Sequence, residues 1–172
     1  MTTSVKNRGK DLEQLVIQSN HVYRMRQEAL IHQAHAEVKT IRGRKGQIVN
    51  AFHKGKAGLD FYGIADGNYI TFDTKQTANK TSFPLGNIEH HQYTTVVETD
   101  KAGGIAFLLV RFSYWGETYY LSAEQLRYWW TQSERKSIPY AWFQANCRVV
   151  KSQSAAALDW LSVVREELGT AD

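Results

Sequence analysis

Gly58-Leu59-Asp60-Phe61-Tyr62-Gly63-Ile64-Ala65-Asp66-Gly67-Asn68-Tyr69-Ile70-Thr71-Phe72-Asp73-Thr74-Lys75 is the stretch that decides the fold. Asp66-Gly67 is a strong two-residue hairpin signal, and aromatic and β-branched residues flank it. A two-residue turn there sets Ala65 against Asn68, Phe61 against Phe72 and Asp60 against Asp73. Side chains alternate along a strand. One face then carries Leu59, Phe61, Ile70 and Phe72, which reads as a core face. The other carries Asp60, Tyr62, Tyr69, Thr71, Asp73 and Lys75. Facing carboxylates repel in a ladder. A divalent cation between them reverses that cost, and all-oxygen ligation suits Mg²⁺ or Mn²⁺ better than Zn²⁺. The same residues are also compatible with a solvated hairpin face bearing scattered charges.

The chain has 172 residues, 42% hydrophobic and 22% charged, and a net charge of +4. This composition predicts one soluble globular domain over residues 1–172. No apolar run is long enough to span a membrane, and the N-terminus lacks a signal-peptide core, so a cytoplasmic setting is expected. Cys147 is the only cysteine, which excludes an intrachain disulfide and a multi-cysteine zinc site. No phosphate-binding loop, nucleophile elbow or dinucleotide fingerprint occurs. The positive charge is local. Lys39, Arg42, Arg44, Lys45, Lys54 and Lys56 face one acid, Glu37, in the same stretch. Such a stripe is the usual footprint of a nucleic-acid contact, though a solvated loop would look alike.

A helix is expected from Asn7, as N-cap, to about Glu28, with Leu12, Leu15, Val16 and Ser19 on its buried stripe and Glu13 at the border. Ala29–His32 reads as a short buried strand and Glu37–Ile41 as another. Arg42–Gly46 is a basic turn at the tip of a projecting segment. Thr77–Pro84 reads as loop and Ile88–Thr99 as helix. Gly104–Phe112 is a central strand buried on both faces. Glu117–Leu121 is a strand, Ala123–Gln132 a helix capped by Ser122, Trp142–Val150 an edge strand and Ala155–Leu168 a final helix. This order predicts an α/β fold, a mixed central sheet flanked by helices, with the acidic hairpin in mid-sheet.

Asp60, a gap, and then Asp73-Thr74-Lys75 resembles the PD-(D/E)-x-K signature of restriction-endonuclease-like nucleases. Gly9-Lys10-Asp11-Leu12-Glu13 is similar to the G-x-x-x-E element of Holliday-junction resolvases in that superfamily. Asn7-Arg8-Gly9, Asn79 to Leu85, His91-Gln92 and Arg135 to Ile138 resemble segments of the RecU family of resolvases. The likeness runs in order from about Asn7 to Leu168.

The resemblance implies a restriction-endonuclease-like fold and a metal-dependent endonuclease that resolves four-way DNA junctions as a homodimer in a bacterial or phage-infected cytoplasm. Asp60, Asp73, Thr74 and Glu13 would hold Mg²⁺ (or Mn²⁺). Lys75 would be the catalytic lysine beside the acids Glu13, Asp60 and Asp73. Lys39, Arg42, Arg44, Lys45, Lys54 and Lys56 would contact DNA from a basic stalk over about 37–57, with Phe52 and Lys54 near the site. Two departures stand out. The second acid is Asp73, where the family more often has Glu, and the stalk is a few residues short. A flap or duplex nuclease of the same chemistry, or a DNA-binding protein that keeps the fold without cleavage, is the alternative reading.

Overall fold

The computed structural model describes residues 5–35, 38–53, 58–131 and 134–169. The long helix α1 (Val5–Met25) starts two residues before Asn7, so Asn7 lies in its first turn rather than at the N-cap. The strand β1 (Ala29–Gln33) follows. Next comes a separate two-stranded ribbon of β2 (Val38–Arg42) and β3 (Ile48–His53). Gly46 closes its turn with φ of 79°, and its N–H donates to the Gly43 carbonyl. The ribbon falls within the segment 37–57, and its second strand has no clear signal in the sequence.

The hairpin of β4 (Phe61–Ala65) and β5 (Asn68–Thr77) has the predicted register, Ala65 with Asn68 and Phe61 with Phe72. Asp66 and Gly67 both take positive φ, 51° and 77°, as a primed turn requires. β5 also pairs in parallel with β7 (Ile105–Phe112), and β7 pairs with β8 (Glu117–Ser122). A two-residue strand, β10 (Arg148–Val149), completes a mixed sheet of order β1-β4-β5-β7-β8-β10. Strand β7 is buried on both faces, since Ala106 to Val110 are all within 3% of full burial.

Each sheet face has its own core. On one, Phe72 stacks between Phe61 and Phe107 at centroid distances of 5.0 and 4.7 Å, and Trp160 leans on Phe72. Leu12 and Val16 of α1 and the helix α5 (Trp160–Glu167) cover this face. The Tyr23 hydroxyl donates to Asp159 Oδ1 at 2.8 Å and ties α1 to the start of α5. On the other face lie α2 (His90–Lys101), α3 (Ala123–Thr131) and α4 (Tyr140–Asn146) over Leu108, Val110, Phe112 and Leu121.

Several expectations are corrected. Leu59 does not share the Phe61 core; it packs in the opposite cluster, because the chain leaves strand geometry before Phe61. β1 is half-buried, with Leu30 and His32 facing outward from a sheet edge. Thr77–Pro84 contains β6 (Ser82–Pro84), which pairs with β9 (Ser137–Pro139) to bury Phe83 against Ile138. Trp142–Asn146 is helix, not strand. Pro139 has the extended conformation of an N-cap, and Tyr140 and Phe143, one turn apart, both meet Phe112. α5 begins at Trp160 rather than Ala155, since Ser154 and Ala155 both have positive φ.

Candidate active site

Alternation in β5 sends Phe72 to the α1 side of the sheet and Asp73 to the α2 side, where Lys75 follows two residues later. Asp73 is fully buried. Its Oδ2 lies 3.3 Å from Lys75 Nζ and accepts a hydrogen bond of 2.5 Å from Gln92 Nε2. Its Oδ1 accepts the Asp60 backbone N–H at 3.2 Å. The Asp60 and Asp73 carboxyls are within interaction reach of each other. The hairpin therefore brings the two acids and the lysine together, as its register predicts.

Burial, reinforced by the Asp60 carboxyl, pushes Asp73 up from the ordinary range to about 7, against the opposing pull of Lys75. Among the described residues, Lys75 is the positive group offsetting the buried Asp73 carboxylate. That balance suits a hard divalent cation, which relieves both the desolvation and the repulsion. Mg²⁺ binds through one or two carboxylates and keeps several waters, so Asp60 and Asp73 fit it. The Thr74 side chain alternates to the other face, which leaves its backbone carbonyl as the group it could offer.

Glu13 projects from α1, on the opposite side of the sheet. Its carboxylate accepts a hydrogen bond from the Gln33 side chain at the end of β1. The next residue, Ala34, donates its N–H to the Asp60 carbonyl at 2.7 Å. Glu13 is thus linked to the Asp60 segment through Gln33. Among the described residues, no three His, Cys, Asp or Glu side chains converge as a metal-binding group. Arg42, Arg44 and Lys45 are exposed at the end of β2 and its turn. Lys39 lies in β2 opposite Phe52 in β3. Lys54 and Lys56 lie outside the described residues.

Gln92 is the site residue that the sequence reading left without a role. It occupies the third position of α2. Its Oε1 accepts the Glu89 backbone N–H at 2.9 Å, completing a reciprocal capping box, while its Nε2 holds Asp73. One amide thus caps the helix and orients the buried acid. The spacing Glu89-x-x-Gln92 was the available signal for the cap, but nothing local pointed to Asp73.

The family profile of RecU, described as recombination protein U, matches residues 7–166. This chain belongs to the RecU family. It is 35% identical over 166 residues to the Holliday junction resolvase RecU of Geobacillus kaustophilus, covering 92% of this chain and 83% of that protein. Identity to the Holliday junction resolvase RecU of Bacillus subtilis is 31% over 171 residues, covering 95% and 82% of the two chains. Among solved structures, Archaeoglobus fulgidus Hjc, a Holliday junction resolvase, aligns with a TM-score of 0.46 at 7% identity, over 76% of this chain and 92% of that one. In this chain Asp73 and Lys75 lie on β5, and Asp60 just before β4.

Proposed function

We propose that this chain is a divalent-metal-dependent endonuclease that resolves four-way DNA junctions. The observation that carries the reading is the buried Asp73, paired with Asp60 and Lys75 on one sheet face of a RecU-family chain. Asp60 and Asp73 would hold Mg²⁺, with Mn²⁺ an acceptable substitute, and Glu13 would act indirectly, through Gln33 and the Asp60 segment. Such an ion lowers the pKa of bound water and polarises a phosphate. The protein's own part is positional. Gln92 and the Asp60 N–H fix the Asp73 carboxylate. Lys75 places a positive charge where negative charge builds on the phosphate oxygens as the bond breaks. The basic residues of the ribbon, Lys39, Arg42, Arg44 and Lys45, with Lys54 and Lys56 next in sequence, would engage phosphates without reading bases, as recognition of shape requires. A four-way junction needs two opposed cuts, so the active species is a homodimer with one site per protomer. The nuclease domain spans residues 1–172.

The experiment is cleavage of a mobile four-way junction and of its linear arms and flaps, with Mg²⁺ and with chelator. Asp73→Asn should abolish cleavage while junction binding stays intact. Cleavage by Asp73→Asn at the wild-type rate would overturn the site. Preferential cutting of flaps or linear duplex would move the substrate to that class.

A further inference from the structure

Among the described residues, α2 and α3 cover the sheet face that bears Asp73 over β5, β7 and β8, and do not pack closely over β1 and β4. Tyr62 is 42% exposed there, and His32 beside it is also exposed. The strand registers place these two residues relative to the acids. His32 pairs with Tyr62, and Tyr62 pairs with Thr71. Two residues beyond Thr71 on the same face comes Asp73, and Asp60, just before β4, lies against it. The next row back, Leu30, Ile64 and Tyr69, is mostly apolar. Two residues of strand span about 6.8 Å, comparable to the spacing of consecutive phosphates on one nucleic-acid strand.

The row next to the acids presents two polar ends. The His32 and Tyr62 rings pack at a centroid distance of 5.8 Å and a tilt of 36°. Thr71 is buried, and its hydroxyl is turned inward to the Phe61 carbonyl at 2.9 Å. Among the described residues, neither the Tyr62 hydroxyl nor the His32 ring nitrogens have a hydrogen-bond partner. The pair is thus held in place by ring packing, with its donors left available. Tyrosine hydroxyls and ring N–H groups are suitable donors to phosphate oxygens, and such contacts set the register of a backbone without reading its sequence.

We infer that His32 and Tyr62 form a docking position for the phosphodiester next to the one that is cut, setting where along the strand cleavage falls. This rests on the nuclease reading above. The occupant is the backbone of the cleaved DNA strand, because the row is continuous with the acid pair and offers hydrogen-bond donors rather than a wholly apolar face.

The test uses the full chain and a four-way junction carrying one uncharged methylphosphonate linkage, placed on either side of the scissile phosphate in separate substrates. Cleavage is read under single-turnover conditions with Mg²⁺. The variant combines His32→Phe and Tyr62→Phe, which keeps both rings and removes both polar ends. On the unmodified junction the variant should cleave at least about tenfold more slowly, as expected for loss of hydrogen bonds to a charged group, and should scatter its cut position. One of the two modified junctions should slow the wild type by a similar factor and the variant hardly at all. An equal penalty for wild type and variant at both neighbouring linkages would overturn the inference, as would a variant that cuts the unmodified junction at the wild-type rate and position. If the wild-type chain cuts no junction, the nuclease reading fails first and this one with it. Matching melting temperatures exclude a folding defect as the cause.

Discussion

Removing the Asp73 charge should stabilise the metal-free protein, and the gain should grow with pH. The ordinary carboxyl value is 3.8, and burial holds Asp73 at about 7 in the fold. That difference disfavours the charged form by about 4 kcal/mol, an upper figure because the Asp60/Asp73 pair titrates together. Between these two values the folded chain retains a proton that the unfolded chain has released. Stability from this group is therefore fully present below about pH 4 and is lost as pH rises towards 7. Asp73→Asn has no proton to lose and keeps an oxygen that can accept from Gln92. The variant should match wild type near pH 4 and exceed it near pH 8 by up to about 4 kcal/mol, roughly 10 °C in melting temperature for a chain of this size. Urea unfolding of both proteins across that range in chelator measures it. Adding Mg²⁺ should then close most of that gap, since an ion at a hundred times its Kd stabilises only the wild type, by about 2.7 kcal/mol. If the variant instead loses stability as pH rises, the Lys75 ion pair at 3.3 Å outweighs burial. The carboxylate would then be satisfied without an ion, and burial would create no demand for a metal at this position.

Gln92→Ala removes both halves of the amide's work; cleavage should fall about tenfold to a hundredfold, and melting should drop by a few degrees through loss of the cap. Gln92→Glu should keep the cap but set a third carboxylate beside Asp73, so its melting temperature should fall less than its cleavage rate. Gly63→Ala would put a Cβ 1.9 Å from the Leu30 carbonyl across the β1–β4 pair. It should destabilise by about 1–3 kcal/mol as the strands part, which thermal unfolding would show.

The hairpin and its acid pair were legible without coordinates because both depend on local rules. Asp66-Gly67 selects a primed turn, the turn sets the register that brings Asp60 opposite Asp73, and alternation places Asp73 and Lys75 on one face. The double burial of β7 was readable for a similar reason, as an uninterrupted apolar run. Short elements were not. β6 and β9 each span three residues, too few to show a period, and they exist because Phe83 and Ile138 bury each other across the chain. Trp142–Asn146 carries adjacent aromatics that suit strand or helix equally, and contact with Phe112 decides for helix.

What the sequence determined by itself was which acids face each other and which lysine accompanies them, since turn chemistry and strand alternation act within a few residues. Only the tertiary structure decided that Asp73 is buried, that a helix N-terminus 19 residues away supplies Gln92 to hold it, that Glu13 approaches from the far side of the sheet, and that His32 and Tyr62 stay open to solvent. Those outcomes depend on which helices cover which parts of the sheet. That is settled by the packing of whole apolar faces, and no single residue's spacing records it.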